Sequence, residues 1–227
     1  LTLDLQVIGQ RHKDLKNGLS APPKMTLANL INLMSKPRWG LGMLGTKRRG
    51  FGNIIGHVKG VTDMANLSAW TTQQFDPRLN WGDVEWIKKR WGGKLILKGI
   101  QDVEDARLAV DSGADALIVS NHGGRQLDGA SSSIGALPAI VEAVGSKIEV
   151  HMDGGIRSGQ DVLKAWALGA RGTYIGRAMV YGLGALGEAG VTQALEIIHK
   201  ELDLTMAFCG RTNLRDVDRS ILLPGTF

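Results

Sequence analysis

From Lys94 onward, short runs of β-branched and aliphatic residues alternate with longer stretches in which apolar positions recur every three or four residues. KLILKG (94–99) predicts a strand, and DVEDARLAVDSG (102–113) predicts a helix that Asp102 can cap and Gly113 can end. The unit recurs. ALIVSN (116–121) precedes a helix near 134–145, EVHMDGG (149–155) precedes one at about 158–168, and GTYIGR (172–177) leads into a last helix from near Glu188 to about Leu202. Four consecutive strand–helix units predict a parallel sheet covered by helices. Each strand ends in Gly, Asn or charged residues, and that is the end at which α/β folds place their chemistry.

The first 90 residues follow a different rhythm. LTLDL (1–5) has the pattern of one more strand end, so the sequence is expected to open inside a fold. Residues 20–90 hold Pro22 and Pro23, many glycines and four of the six tryptophans with weak periodicity, which predicts a long excursion between two strands. A complete (β/α)8 barrel takes about 250 residues, whereas the four clear units occupy 94–227. The expected fold is therefore α/β, about the C-terminal half of a TIM barrel: the end of strand 4, the excursion, and strands 5–8 with their helices.

An apolar share of 43% in 227 residues is enough to bury one substantial core. Cys209 is the only cysteine, which excludes an intrachain disulfide and fits a reducing compartment. No Cys/His group has zinc-site spacing, so no metal is expected. No apolar run approaches the roughly 18 residues of a spanning helix, and the opening residues lack the basic-then-apolar order of a signal peptide. The net charge of +5 is a local property: residues 15–62 carry eight Lys or Arg and no Asp or Glu, which leaves the remainder mildly acidic. A positive segment of this kind can meet an anionic surface. It lacks the pattern of a recognition helix or a stacking platform, so no nucleic-acid partner is expected.

Chemistry concentrates at the strand ends. SNHGGRQLDG (120–129) follows a buried strand and puts His122 three residues before Arg125. An imidazole can take a proton near neutral pH, and a guanidinium can hold a carboxylate through two parallel hydrogen bonds. The pair suits an acid substrate. DGGIRSG (153–159) and IGR (175–177) end the next two strands and open the following helices; their glycines let backbone N–H groups approach a phosphate, and Arg157 or Arg177 can match its charge. Among the other histidines, His151 alternates within a strand and is expected in the core or beside a cofactor, His12 and His57 fall in basic loops, and His199 falls on a helix.

These blocks, LILKGI, IVSNHGGRQLDG, MDGGIRSGQDVLKAWALGA and YIGRAMVYGL, together with GQRHKDLKNG (9–18), resemble consecutive blocks of the FMN-dependent L-2-hydroxy-acid dehydrogenase and oxidase family over nearly the whole chain. The resemblance implies a TIM barrel with FMN at the strand C-termini. It implies that Lys98 and Ser120 contact the isoalloxazine, that Thr2 is a further flavin contact, and that Asp153, Gly154, Gly155, Arg157, Gly176 and Arg177 surround the phosphate. It further implies that Arg125 and Arg11 hold the substrate carboxylate, and that Asp4 orients His122 and pairs with the imidazolium formed on it, so that the catalytic base is a dyad.

The implied reaction is oxidation of a small L-2-hydroxy acid to the 2-oxo acid, with electrons passing from FMN to a quinone or cytochrome. L-lactate is the expected substrate, because the long 20–90 excursion and the GGRQLDG wording resemble bacterial flavin L-lactate dehydrogenases. The alternatives are an L-mandelate or glycolate-type oxidase and a catalytically inactive FMN- or phosphate-binding fragment. The resemblance also implies a homo-oligomer, a tetramer, at full length. Residues 36–60 interleave basic residues with Trp39, Leu41, Met43, Leu44, Phe51, Ile54 and Ile55, a composition able to lie at an anionic bilayer surface or to form a loop over the active site. The expected location is cytoplasmic, at the periphery of the inner face of the cell membrane if that segment binds lipid.

Overall fold

The computed structural model describes residues 1–7, 9–18, 26–47, 51–61, 67, 70 and 73–226. Pro22, Pro23 and positions 48–50 of the basic segment lie outside the described residues. The chain divides into two compact units, one formed by Val7–Pro77 and the other by Leu1–Gln6 with Arg78–Phe227.

Where weak periodicity predicts an irregular excursion, the smaller unit holds helices α1 (His12–Lys16), α2 (Leu27–Met34) and α3 (Pro37–Gly45). Local capping explains why they form. Thr26 is extended, and its hydroxyl accepts the Asn29 N–H at 3.2 Å to start α2. Pro37 opens α3, where its missing N–H costs nothing. His12 accordingly begins a helix instead of lying in a loop. Leu27, Ile31, Met34, Leu41 and Leu44 are all exposed on α2 and α3, whereas Val61 and Leu67 of the same unit are buried.

The larger unit begins its helical part with α4 (Trp81–Trp91), which Asn80 and Asp83 close with a reciprocal capping box and Gly92 ends in the left-handed conformation at φ 68°. Four strands follow, β1 (Ile96–Ile100), β2 (Ala116–Val119), β3 (Glu149–Met152) and β4 (Gly172–Thr173), in one parallel sheet of order β1-β2-β3-β4. Between them run α5 (Val103–Asp111), α6 (Ser133–Val144) and α7 (Gly159–Ala167). Strand order that follows chain order without reversal is that of a barrel wall; a doubly wound sheet would switch direction. Thr2 extends the wall on its other side by a parallel bridge to Lys98.

Alternation along the strands decides what faces what. Leu97, Leu117 and Val150 are buried under the helices at 1% exposure or less. The opposite face places Lys98, Ile118, His151 and Gly172 side by side in register. Ser158 and Asp161 form a capping box at the start of α7, which fixes the turn that carries Arg157.

Past β4 the structure corrects the sequence-based expectation. The strand is two residues long, and helix α8 (Arg177–Leu186) precedes the final helix α9 (Glu188–Phe208). Gly187, at φ 64° and ψ −138°, separates the two. Gly182 and Gly190 let them cross, since a Cβ on either would run into the other's backbone carbonyl. The last helix passes the expected end at Leu202 because Leu202 and Met206 pack on Leu163 and Ala167 of α7, and the chain turns only at Gly210.

Candidate active site

The C-terminal ends of β1–β4 open onto a cleft of about 540 Å³, within the usual range for small-molecule sites. Its lining includes Lys98, His122, Arg125, Asp153, Arg157 and Arg177, so four permanent cations face one carboxylate. A site with that balance favours an anion.

At its centre Lys98 leaves β1 and reaches both Ser120 Oγ (2.8 Å) and Asp153 Oδ2 (2.9 Å), which end β2 and β3. Ser120 is fully buried. Its hydroxyl also accepts the His122 N–H at 3.1 Å, which ties the lysine to the loop that carries the histidine. Thr2 sits beside Lys98, and Leu3 N–H donates to the Lys98 carbonyl at 2.8 Å.

That pairing delivers Asp4 to the site. His122 Nδ1 lies 3.3 Å from Asp4 Oδ1, across 118 residues of sequence, and both side chains are mostly buried. Gly99 makes the approach possible: at φ 105° it has a backbone conformation that side chains rarely adopt, and a Cβ there would lie 2.9 Å from Asp4 Cβ and Cγ and 3.0 Å from its N. Gln126 clamps the same segment by donating to the Asp4 carbonyl at 3.0 Å. With Asp4 on Nδ1, the other imidazole nitrogen is left for the cleft. His122 is the only non-glycine residue with positive φ (54°) among the described residues. Such backbone strain persists where surrounding contacts over-determine it, here the Ser120 bond and the Asn121 Oδ1 that accepts the Gly123 N–H at 3.0 Å.

On the far side of the cleft the glycines have distinct tasks. A Cβ on Gly154 would lie 2.8 Å from Ser133 Oγ and 2.9 Å from Asn121 Oδ1, so Gly154 locks the β3 end against the histidine loop. Gly155 and Gly176 have nothing within 4 Å of a Cβ position and leave bare backbone on the cleft wall. Arg157 and Arg177 flank them, and Arg177 Nη2 donates to the Gly123 carbonyl at 3.3 Å. The α8 N-terminus has no side-chain cap, so its first N–H groups can meet a phosphate. Arg125 lines the same cleft, three residues past His122. Arg11 stands just before α1 in the smaller unit. The larger unit thus gathers every sequence-predicted site residue except Arg11. Sequence reasoning missed Gly99, Gln126 and Tyr174; the glycine and glutamine are visible only as companions of better-known motif residues, and nothing local marks the tyrosine.

A family model described as FMN-dependent dehydrogenase matches residues 1–224. The chain belongs to that family. Among relatives of the FMN-dependent dehydrogenases, the L-lactate dehydrogenase of Caulobacter vibrioides (strain NA1000 / CB15N) is 44% identical over 97% of this chain and 58% of its own length. That of Pseudomonas syringae pv. syringae is 44% identical over 98% and 58%. The chain therefore spans less than two thirds of these relatives. Among solved structures, the monotopic membrane protein (S)-mandelate dehydrogenase superposes with a TM-score of 0.89 at 34% identity, over 97% of this chain and 58% of that one. This likeness confirms the barrel architecture.

The cleft fits the family's cofactor, FMN. Asp153 Oδ1 is buried without a hydrogen-bond partner, an acceptor that a bound hydroxyl or N–H would satisfy. The bare backbone at Gly155 and Gly176 between two arginines has room and charge for a phosphate. Lys98, held by Asp153 and Ser120, can place positive charge beside an electron-accepting ring.

Proposed function

We propose that the protein oxidises an L-2-hydroxy acid, L-lactate foremost, to the 2-oxo acid at this cleft, and that the electrons leave to a quinone or cytochrome. The observation that carries the reading is the His122–Asp4 contact at 3.3 Å beside Arg125, in a cleft dominated by cations. FMN, when bound, supplies the two-electron acceptor. Gly155, Gly176, Arg157 and Arg177 hold its phosphate, while Thr2, Lys98, Ser120, Asp153 and Gly154 shape the seat of the ring and its tail. Arg125 holds the substrate carboxylate, and His122 takes the substrate proton. Asp4 keeps Nδ1 protonated and balances the imidazolium that forms. Lactate is favoured over mandelate by the named relatives at 44% identity, against 34% for the mandelate enzyme.

Anaerobic addition of L-lactate to the yellow FMN-loaded protein should bleach its visible absorption, and D-lactate should not. Bleaching by L-mandelate or glycolate alone would move the assignment to those substrates, and inertness to every 2-hydroxy acid would leave an FMN-binding protein without this activity.

The smaller unit suggests where the reaction takes place. No helix among the described residues is long and apolar enough to cross a membrane. Leu27, Ile31, Met34, Leu41 and Leu44 are nevertheless exposed beside Lys36, Arg38 and Lys47, a combination suited to peripheral attachment at an anionic bilayer on the cytoplasmic face, near a quinone pool. We further propose, on the family resemblance, that the protein at full length is a homo-oligomer, a tetramer, a state that light scattering measures directly.

A further inference from the structure

One hydrogen-bonded chain runs along the cleft wall and has no part in the chemistry proposed above. Tyr174, just past β4, lines the cleft. Its hydroxyl lies 2.9 Å from His151 Nδ1, and His151 Nε2 lies 3.2 Å from Glu149 Oε2. The imidazole is well covered, with 13% side-chain exposure against 69% for the carboxylate. Gly172 leaves room for the ring, since a Cβ there would lie 3.1 Å from it. The phenol ring is tilted 38° to the imidazole, with centroids 5.8 Å apart, so the contact is made edge to edge through the polar atoms and not by stacking.

We propose that Glu149, His151 and Tyr174 form a proton-linked switch that turns the Tyr174 hydroxyl from hydrogen-bond acceptor to hydrogen-bond donor towards the cofactor in the cleft. The argument is one of hydrogen-bond inventory. An ionised carboxylate only accepts, so the neutral His151 ring keeps its proton on Nε2, against Glu149, and leaves Nδ1 bare. The phenol hydrogen is then committed to Nδ1, and Tyr174 presents only lone pairs to the cleft. When His151 takes up a proton from solvent, both ring nitrogens donate. Nδ1–H now points at the phenol oxygen, and the phenol O–H is released to donate into the cleft. Tyr174 is in this reading a cofactor-contacting residue, with His151 and Glu149 as the residues that position it.

In register on either side His151 meets Ile118 of β2 and Gly172 of β4. Lys98 of β1 lies beyond Ile118, and its charge is matched by Asp153. Lys94 interacts electrostatically with Glu149 at the outer end of the chain. By reciprocal linkage, negative charge gained by the cofactor on reduction favours the donor state, and so favours protonated His151.

The inference rests on FMN occupying this cleft, and the test separates the two ideas. The midpoint potential of bound FMN is measured from about pH 5 to 8, the window in which imidazoles change charge. The wild-type protein should give a plot against pH with an inflection. Tyr174→Phe and His151→Gln should each retain FMN and lose that inflection, and Glu149→Gln should move it to lower pH by removing the charge that favours the imidazolium. An identical pH course in wild type and Tyr174→Phe, or no inflection in the wild type, overturns the switch alone. A wild-type protein that binds no FMN overturns the switch and the functional reading together.

Discussion

Gly99 is the residue on which the catalytic pair depends most directly. Its positive φ and the 2.9 Å approach of Asp4 leave no space for a methyl group. Gly99→Ala should displace Asp4 from His122 and lower kcat by about a hundredfold, the usual scale for a misplaced catalytic contact, while circular dichroism stays near that of the wild type. An unchanged kcat would mean that the base works without Asp4. At this scale the sequence was informative about His122, Arg125 and the glycines, because their spacing in SNHGGRQLDG and DGGIRSG already suits an acid and a phosphate. Composition and spacing could not pair Asp4 with His122 across 118 residues; the resemblance supplied that partner, and the structure supplied the distance. The bond of His151 to Tyr174 was beyond both, since it arises only when β3 and β4 are brought into register, whereas Glu149 shares a strand face with His151.

Secondary-structure elements are joined at the end of the strands opposite the cleft by a second polar cluster. Asp115, just before β2, accepts from Lys88 Nζ of α4 (2.6 Å), from Lys94 Nζ (2.8 Å) and from the Leu95 N–H (2.9 Å). Those donors hold its carboxyl well below the ordinary carboxylate value of 3.8. A group depressed in the folded state stabilises the fold fully above its unfolded value, and loses that contribution as pH falls through the folded one. Thermal melts from pH 6 to 2 should therefore show a fall in Tm below about pH 4 that is shallower in Asp115→Asn, and that variant should melt lower than wild type at pH 6. Equal acid slopes would remove Asp115 from the account. The four strands and the helices between them were legible from periodicity and from caps such as Asp102. The break between α8 and α9 was not, because Gly187 does not stand out in a stretch that also holds Gly182, Gly184 and Gly190 within helices; α3 was hidden by its glycines, and α2 by an apolar pattern that leaves no residue buried.

Over the whole molecule, the chain combines an arc of barrel with a basic, apolar unit inserted between Gln6 and Arg78. If that unit attaches to membranes, deletion of residues 36–60 should abolish co-sedimentation with anionic vesicles and leave binding to neutral ones at background. Equal sedimentation of both forms with anionic vesicles would reject the attachment. The charge segregation that suggests this was plain in the sequence, since no acid interrupts residues 15–62. Sequence periodicity did not reveal the helices that carry the apolar groups.

The central claim is that His122 takes the proton that accompanies flavin reduction. Stopped-flow measurement of the anaerobic reduction of bound FMN by L-lactate tests it most directly, comparing wild type with His122→Gln after both are shown to hold FMN. The account predicts a fall of about 10²- to 10⁴-fold in the reduction rate of the variant, the range expected for loss of a general base, with the FMN dissociation constant little changed. Reduction of the variant at the wild-type rate would contradict it.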